Sequence, residues 1–153
     1  MNEAGFVVVR AGVEHLEALT PLFDAYRQFY EQPADRAAAE QFLRARFDRS
    51  EAVVFLAQDP DGTALGFTQL YPIFSSVRLK PMWILNDLYV APSGRRLGIA
   101  RALMARAKQH AIDSGAGGLE LQTGKENTGA QALYRDEGWQ LEKDYFRFFL
   151  DLD

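Results

Sequence analysis

Residues 82–90 read MWILNDLYV, apolar at nearly every position and closed by Ala91-Pro92. The length suits a strand. Because both alternations of side chains are apolar, the run predicts a strand covered on both faces and central in its sheet. Such a strand needs a layer on each side, and the flanking sequence supplies candidates. GFVVVRAG, residues 5–12, is a β-branched run bounded by glycines and predicts an opening strand. Thr20-Pro21 offers an N-cap followed by proline at the first helical position, ahead of LFDAYRQFYEQ. There Leu22, Phe23, Tyr26, Phe29 and Tyr30 recur at helical spacing. Pro33 ends that helix, and Asp35 caps a second, DRAAAEQFLRARF, with Ala39, Phe42, Leu43 and Phe47 repeating at three and four.

EAVVFLAQ and ALGFTQLYPIF, joined by DPDG at 59–62, predict a hairpin. Past the central run, a helix carries Ala100, Leu103, Ala107 and Ala111 on one stripe and stops near Ser114-Gly115. LELQT predicts a short strand and NTGAQALYRDEG a short helix opened by Asn127 and closed by Gly138. WQLEKDYFRFFLDL predicts the closing strands. In order, these elements predict a mixed α/β sheet without repeats.

The chain has 153 residues, 48% of them hydrophobic, which predicts one domain over 1–153. With no cysteine, disulfides, thiolate catalysis and a zinc–cysteine site are excluded; two separated histidines argue against any metal centre. MNEAGFVVVR lacks a signal-peptide layout, and no segment approaches the ~20 apolar residues of a membrane span. A soluble, cytoplasmic protein with no membrane partner is expected. The formal net charge of -4 argues against nucleic-acid binding, which needs a broad basic face. A local site for a small anion remains open.

That site falls in APSGRRLGIARALM, residues 91–104. A helix N-terminus presents unpaired N–H groups, and Gly94 and Gly98 let backbone come close to a ligand. Arg95 and Arg96 add charge-assisted hydrogen bonds suited to a phosphate. The stretch is built like a pyrophosphate cradle, although it is neither G-x-x-x-x-G-K-[ST] nor G-x-G-x-x-G. Two arginines before a helix, taken alone, read more simply as solvated surface.

Arg95-Arg96-Leu97-Gly98-Ile99-Ala100 resembles the [RQ]-x-x-G-x-[GA] loop of the Gcn5-related N-acetyltransferases, which binds the pyrophosphate of acetyl-CoA. Asn127-Thr128-Gly129-Ala130-Gln131-Ala132-Leu133-Tyr134, followed by Gly138-Trp139, is similar to that family's second cofactor segment. The element order matches over nearly the whole chain. The resemblance implies a mostly antiparallel sheet flanked by four helices and splayed at the cofactor site. It also implies acetyl-CoA as cosubstrate and acetyl transfer to a primary amine of a small molecule or peptide. Backbone at Leu88, Tyr89 and Val90 would pair with the pantetheine arm, and N–H groups from Arg96 to Arg101 would hold the pyrophosphate. Tyr134 would give a proton to the departing thiolate and the Leu88 amide would serve the oxyanion. Taken alone, Tyr134 reads as core packing and Asn127 as a helix cap; a cap and a ligand contact can coexist.

The base is less defined. Leu85-Asn86-Asp87-Leu88-Tyr89-Val90 resembles the L-E-D-[LI]-Y-V of the diamine acetyltransferase branch, but Asn86 stands where that branch has glutamate. An amide cannot take a proton, which leaves Asp87, or water ordered by Asn86. Asp87 equally reads as a structural carboxylate. By resemblance the first helix lines the acceptor pocket with Tyr26, Phe29 and Tyr30, with Tyr71, Phe74 and Trp83 nearby. Its Tyr-x-x-Phe-Tyr pattern is loosely similar to the Hpa2-like branch. Aromatics at helical spacing are more often core. Asp24, Glu31 and Asp35 read as solvated, and His15 and His110 as surface residues. A non-catalytic coenzyme A-binding or sensor module is the rival reading. Homodimers are common in the fold that the resemblance implies, and the aromatic segment 145–150 is open to two readings: pairing or swapping across a two-fold axis, or an edge covered within the chain.

Overall fold

The structure, a computed structural model, describes residues 5–153; the acidic lead-in at 1–4, part of the N-terminal layout read above, lies outside them. The chain divides into two compact units, Met1–Gln122 and Thr123–Asp153. The first carries β1 (Val7–Arg10), a 3-10 turn (Val13–His15), α1 (Leu16–Phe29), α2 (Arg36–Asp48), β2 (Val53–Gln58) and β3 (Ala64–Ser75). It continues through β4 (Lys80–Val90), a 3-10 turn (Pro92–Gly94), α3 (Ile99–Asp113) and β5 (Leu119–Glu120). The second carries α4 (Thr128–Asp136).

The sheet order is β1-β2-β3-β4-β5. The first three pairings are antiparallel, whereas β5 runs parallel to β4 after the α3 crossover. One face packs on α1 and α2, where Leu19, Leu22, Phe23, Ala39 and Leu43 close over Val54, Leu56 and Phe67. The other face packs on α3, whose buried stripe is Ile99, Leu103, Met104, Ala107 and Ala111. Strand β2 lies between both layers and is buried along nearly its whole length.

Three expectations need correction. The central strand is β3, not the 82–90 run, which lies in β4; β4 stands next to the edge strand β5 and is mostly half-buried, with Leu85 and Asp87 its buried residues. The first helix begins at Leu16 rather than at Thr20-Pro21, so Pro21 sits inside it and Thr20 is buried. Its entry is set by the preceding 3-10 turn, where His15 Nδ1 accepts the Gly12 N–H at 3.0 Å. Residues 139–153 form no strand among the described residues. Alternating aromatics make a strand only when a neighbouring strand completes the hydrogen-bond ladder, and here Tyr145, Phe146, Phe148, Phe149 and Leu150 are exposed.

Two features of β4 position the site. Asp87 pairs with Gln69 and Leu85 with Leu70, which leaves Asn86 as the extra residue of a β-bulge. In a regular strand neighbouring side chains point to opposite faces, and the bulge cancels that alternation locally. On its far edge β4 pairs with β5 only at Trp83 and Ile84, so among the described residues Leu85 to Val90 have no strand partner on that side.

Candidate active site

A cavity of about 340 Å³ lies where α1 and α2 cover β3 and β4, and Asn86 and Asp87 both line it as the bulge allows. Asp87 is buried at its floor. Its Oδ2 accepts from Gln69 Nε2 at 2.6 Å and its Oδ1 from Asn86 Nδ2 at 3.0 Å, and the Tyr26 hydroxyl supplies a third hydrogen bond. Gln69 and Tyr71, two apart on β3, share the face that meets α1. Burial pushes the Asp87 carboxyl above the ordinary carboxylate range, and the hydrogen bonds from Gln69, Tyr26 and Asn86 offset part of that. The Tyr26 and Tyr71 hydroxyls are pushed up chiefly by burial and then by the Asp87 charge, so both stay protonated at neutral pH. All three donors to Asp87 are neutral, and among the described residues no cationic side chain forms an ion pair with it. This arrangement can hold a cationic amine beside aromatic rings and accept a proton from it.

The unpaired edge of β4 ends at the arginine–glycine loop. Arg96 and Gly98 both adopt the left-handed backbone, at φ 65° and 80°. That turns successive N–H groups to one side, as in a backbone nest for an anion. Among the described residues the N–H groups of Arg96, Leu97, Gly98, Ile99 and Ala100 meet no backbone acceptor. Arg95 and Arg96 are exposed and form no ion pair there. Gly98 has open space around it, consistent with the expected close approach, but Gly94 serves packing instead. It is buried, and a Cβ there would lie 3.0 Å from both the Leu65 carbonyl and Ile99 Cδ1. With Gly66 it makes room for the fully buried Ile99, which anchors the start of α3 on the sheet.

In the second unit Asn127 caps α4, its side chain accepting from the Ala130 N–H at 3.3 Å. Tyr134 lies two turns further along, half-buried, with its ring 6.3 Å from that of Trp139.

Of the expected acceptor residues, Tyr26 and Asn86 line the cavity, whereas Phe29 and Tyr30 are more than half exposed and do not. Tyr30 meets the cavity-lining Tyr26 ring at 5.1 Å, and Phe29 meets Tyr30 at 5.3 Å and Tyr89 at 6.4 Å. Tyr71 also lines the cavity, whereas Phe74 is exposed. Trp83 points to the α3 layer, 4.8 Å from the His110 ring and donating to Ser114 Oγ at 2.9 Å. His110 is therefore wedged between Trp83 and Phe55 rather than free on the surface, and burial lowers its pKa, with the Arg10 charge adding. Asp24 is also buried: its Oδ1 accepts the Asp35 N–H at 2.9 Å and ties α1 to the start of α2. Sequence reasoning missed Gln69, Arg27 and Phe42. Only Gln69 left a signal, a polar residue within an otherwise apolar strand.

A family model described as "Acetyltransferase (GNAT) family" matches residues 17–139. A relative named "Uncharacterized N-acetyltransferase YhfO", from Bacillus subtilis (strain 168), is 42% identical over 135 residues, 88% of this chain and 90% of its own. A "Probable acetyltransferase" from Haemophilus influenzae is 37% identical over 94 residues, 61% of this chain and 64% of its own. A crystal structure described as that of a probable acetyltransferase superposes with a TM-score of 0.91 at 38% identity, covering 96% of this chain and 98% of the other.

Proposed function

The chain belongs to the acetyltransferase (GNAT) family and is an acetyltransferase of that type, and from that premise we propose that residues 1–153 act as one N-acetyltransferase domain. It moves an acetyl group from acetyl-CoA to a primary amine of a small molecule or peptide, by direct transfer in a ternary complex. One observation carries this reading: the unpaired β4 edge at Leu85 to Val90 runs into a loop whose N–H groups meet no backbone acceptor. A ligand with an extended amide-bearing arm ending in a diphosphate suits that sequence of donors and acceptors. No group of three or more metal-ligating side chains occurs among the described residues. Among them no helix is long and apolar enough to cross a membrane.

Bound acetyl-CoA supplies the acetyl group as a thioester. On the protein side, Leu88, Tyr89 and Val90 pair with the pantetheine amides, and the segment Arg95 to Arg101 holds the pyrophosphate, with Asn127 assisting. The Leu88 N–H donates to the oxygen that gains charge as the amine attacks. Asp87 takes the proton the amine loses and passes it to solvent, while Tyr134 donates to the departing sulfur and is reprotonated from solvent. Asn86 in place of glutamate weighs less for a non-catalytic module than the sequence suggests, because the adjacent Asp87 supplies a carboxylate to the same cavity. With no cysteine, no thiol is present to form an acyl-enzyme. We read the protein as cytoplasmic, and the exposed aromatic segment 145–150 as the edge that joins a second copy; a one-chain mass in light scattering would remove the homodimer.

The test is mass spectrometry of purified protein given acetyl-CoA and a panel of polyamines, amino acids, aminoglycosides and lysine peptides. An N-acetylated product is expected. No product with any acceptor, from protein that binds acetyl-CoA, would turn the reading to the binding module. In the same assay Arg95→Ala combined with Arg96→Ala is expected to raise the acetyl-CoA KM about 10- to 100-fold with kcat little changed. It should also flatten the salt dependence of that KM; a KM unmoved by the double change would return both arginines to solvated surface.

A further inference from the structure

We infer that the acceptor is a small amine that also carries a carboxylate, held with its ammonium against Asp87 and its carboxylate against the Arg27 guanidinium. The inference rests on the acetyltransferase reading and adds the class of acceptor. It starts from two charges that share one cavity without meeting. Asp87 and Arg27 both line it, yet neither forms an ion pair with the other or with any other group among the described residues. Arg27 follows Tyr26 on α1, and its Nη1 is buried with no hydrogen-bond partner. Asp87 has three neutral donors but no cation, and Arg27 Nη1 has no hydrogen-bond partner, so a cavity lined by both residues suits a ligand with one charge of each sign.

The neighbouring Arg46 already has an anionic partner: its Nε stands 3.3 Å from Glu51 Oε1, in an ion pair without a hydrogen bond, and its guanidinium lies 4.4 Å from the centre of the Phe42 ring. Among the described residues Arg27 is thus the cation that lines the cavity without an ion-pair partner, and the Arg46 charge is felt nearby at Tyr71. A diamine would satisfy Asp87 but turn its other ammonium towards these arginines. The cavity also limits size: about 340 Å³ is at the low end of ligand pockets, which span roughly 300–1,000 Å³. Amino-acid dimensions suit it better than those of an oligosaccharide. The rings of Phe23, Tyr26, Phe42 and Tyr71 provide apolar wall for the carbon chain between the two charges. These features point away from the polyamine acceptors that the LNDLYV resemblance suggests.

Matched pairs that differ only in the carboxylate test this: lysine against cadaverine, and phenylalanine against phenethylamine. Each compound is measured twice, as acceptor in steady-state kinetics with acetyl-CoA and as ligand by thermal shift without it. The amino acid of at least one pair is expected to exceed its decarboxylated partner by about 10- to 100-fold in kcat/KM, the range of a charge-assisted hydrogen-bonded pair. It should also give the larger thermal shift. Arg27→Gln should collapse that ratio towards one, and Arg27→Lys should recover part of it. Amines preferred over their amino acids, or a ratio untouched by Arg27→Gln in a variant that melts like the parent, would overturn the inference while leaving the acetyltransferase reading intact. A thermal shift specific to the amino acid and dependent on Arg27, with no acetylated product from any acceptor, would do the reverse. Neither shift nor turnover with any of the four compounds would also overturn the inference.

Discussion

Tyr134→Phe is expected to lower kcat by about 10²–10⁴-fold while leaving the acetyl-CoA KM within a few-fold, as loss of a general acid does. The change removes one oxygen and keeps the ring, which lies 6.3 Å from Trp139, so packing within the second unit should survive. A phenol, with a reference pKa near ~10, is protonated at neutral pH and can supply the proton that a departing thiolate needs. Two readings separate a proton donor from a packing residue. An acetyl thioester with a more acidic thiol leaving group, which needs less help from a proton donor, should recover part of the lost kcat in the variant. The melting temperature should also stay close to the parent's. If kcat is unchanged, Tyr134 has no part in the chemistry; if kcat and melting temperature fall together, its role is structural.

What could be read in advance divides along the range of the interactions. Short-range patterns were legible. Asp35 caps α2 by accepting the Ala38 N–H at 3.0 Å, and the DPDG turn closes as Asp59 Oδ1 accepts from Asp61 and Thr63. The arginine–glycine loop and the Asn127 cap belong to the same class, because their chemistry is carried by consecutive residues. The cavity was legible only in part, since its geometry depends on register between strands. Nothing in NDL announces that Asn86 is a bulge; that follows from Gln69 facing Asp87 while Leu70 faces Leu85. For the same reason Gln69 could not be matched with Asp87, eighteen residues away. Arg27, on the helix between an aromatic and an amide, has the look of a solvated charge until α2 closes beside it. The C-terminal segment failed differently: its alternation is a strand pattern, but no neighbouring strand completes it among the described residues.

Asp87→Asn should separate function from stability, because the same burial that suits the carboxylate to catalysis works against the fold. Activity is expected to fall about 10²–10³-fold in kcat/KM, since an amide neither balances an ammonium nor takes its proton. The acid limb of the wild-type kcat/KM profile should sit above the usual carboxylate range, because burial raises the Asp87 pKa, and the limb should vanish in the variant. For stability the sign is opposite. A carboxyl whose folded pKa is raised binds its proton more tightly folded than unfolded. Its favourable contribution is therefore complete below the unfolded pKa and lost as pH rises through the folded one. At neutral pH the ionised group is a net liability, with three neutral donors but no cation beside it. Asparagine has nearly the same shape and no charge to bury, and its amide N–H can turn to Gln69 Oε1, which has no partner in the native protein. The variant should thus melt at or above the parent at pH 7 and above, and the difference should shrink towards acid pH. A stabilised but inactive variant would mark Asp87 as a group kept for its chemistry at a cost to the fold. A variant that melts lower at neutral pH would mean that the hydrogen bonds of the carboxylate outweigh its desolvation, and Asp87 would then be a structural carboxylate first.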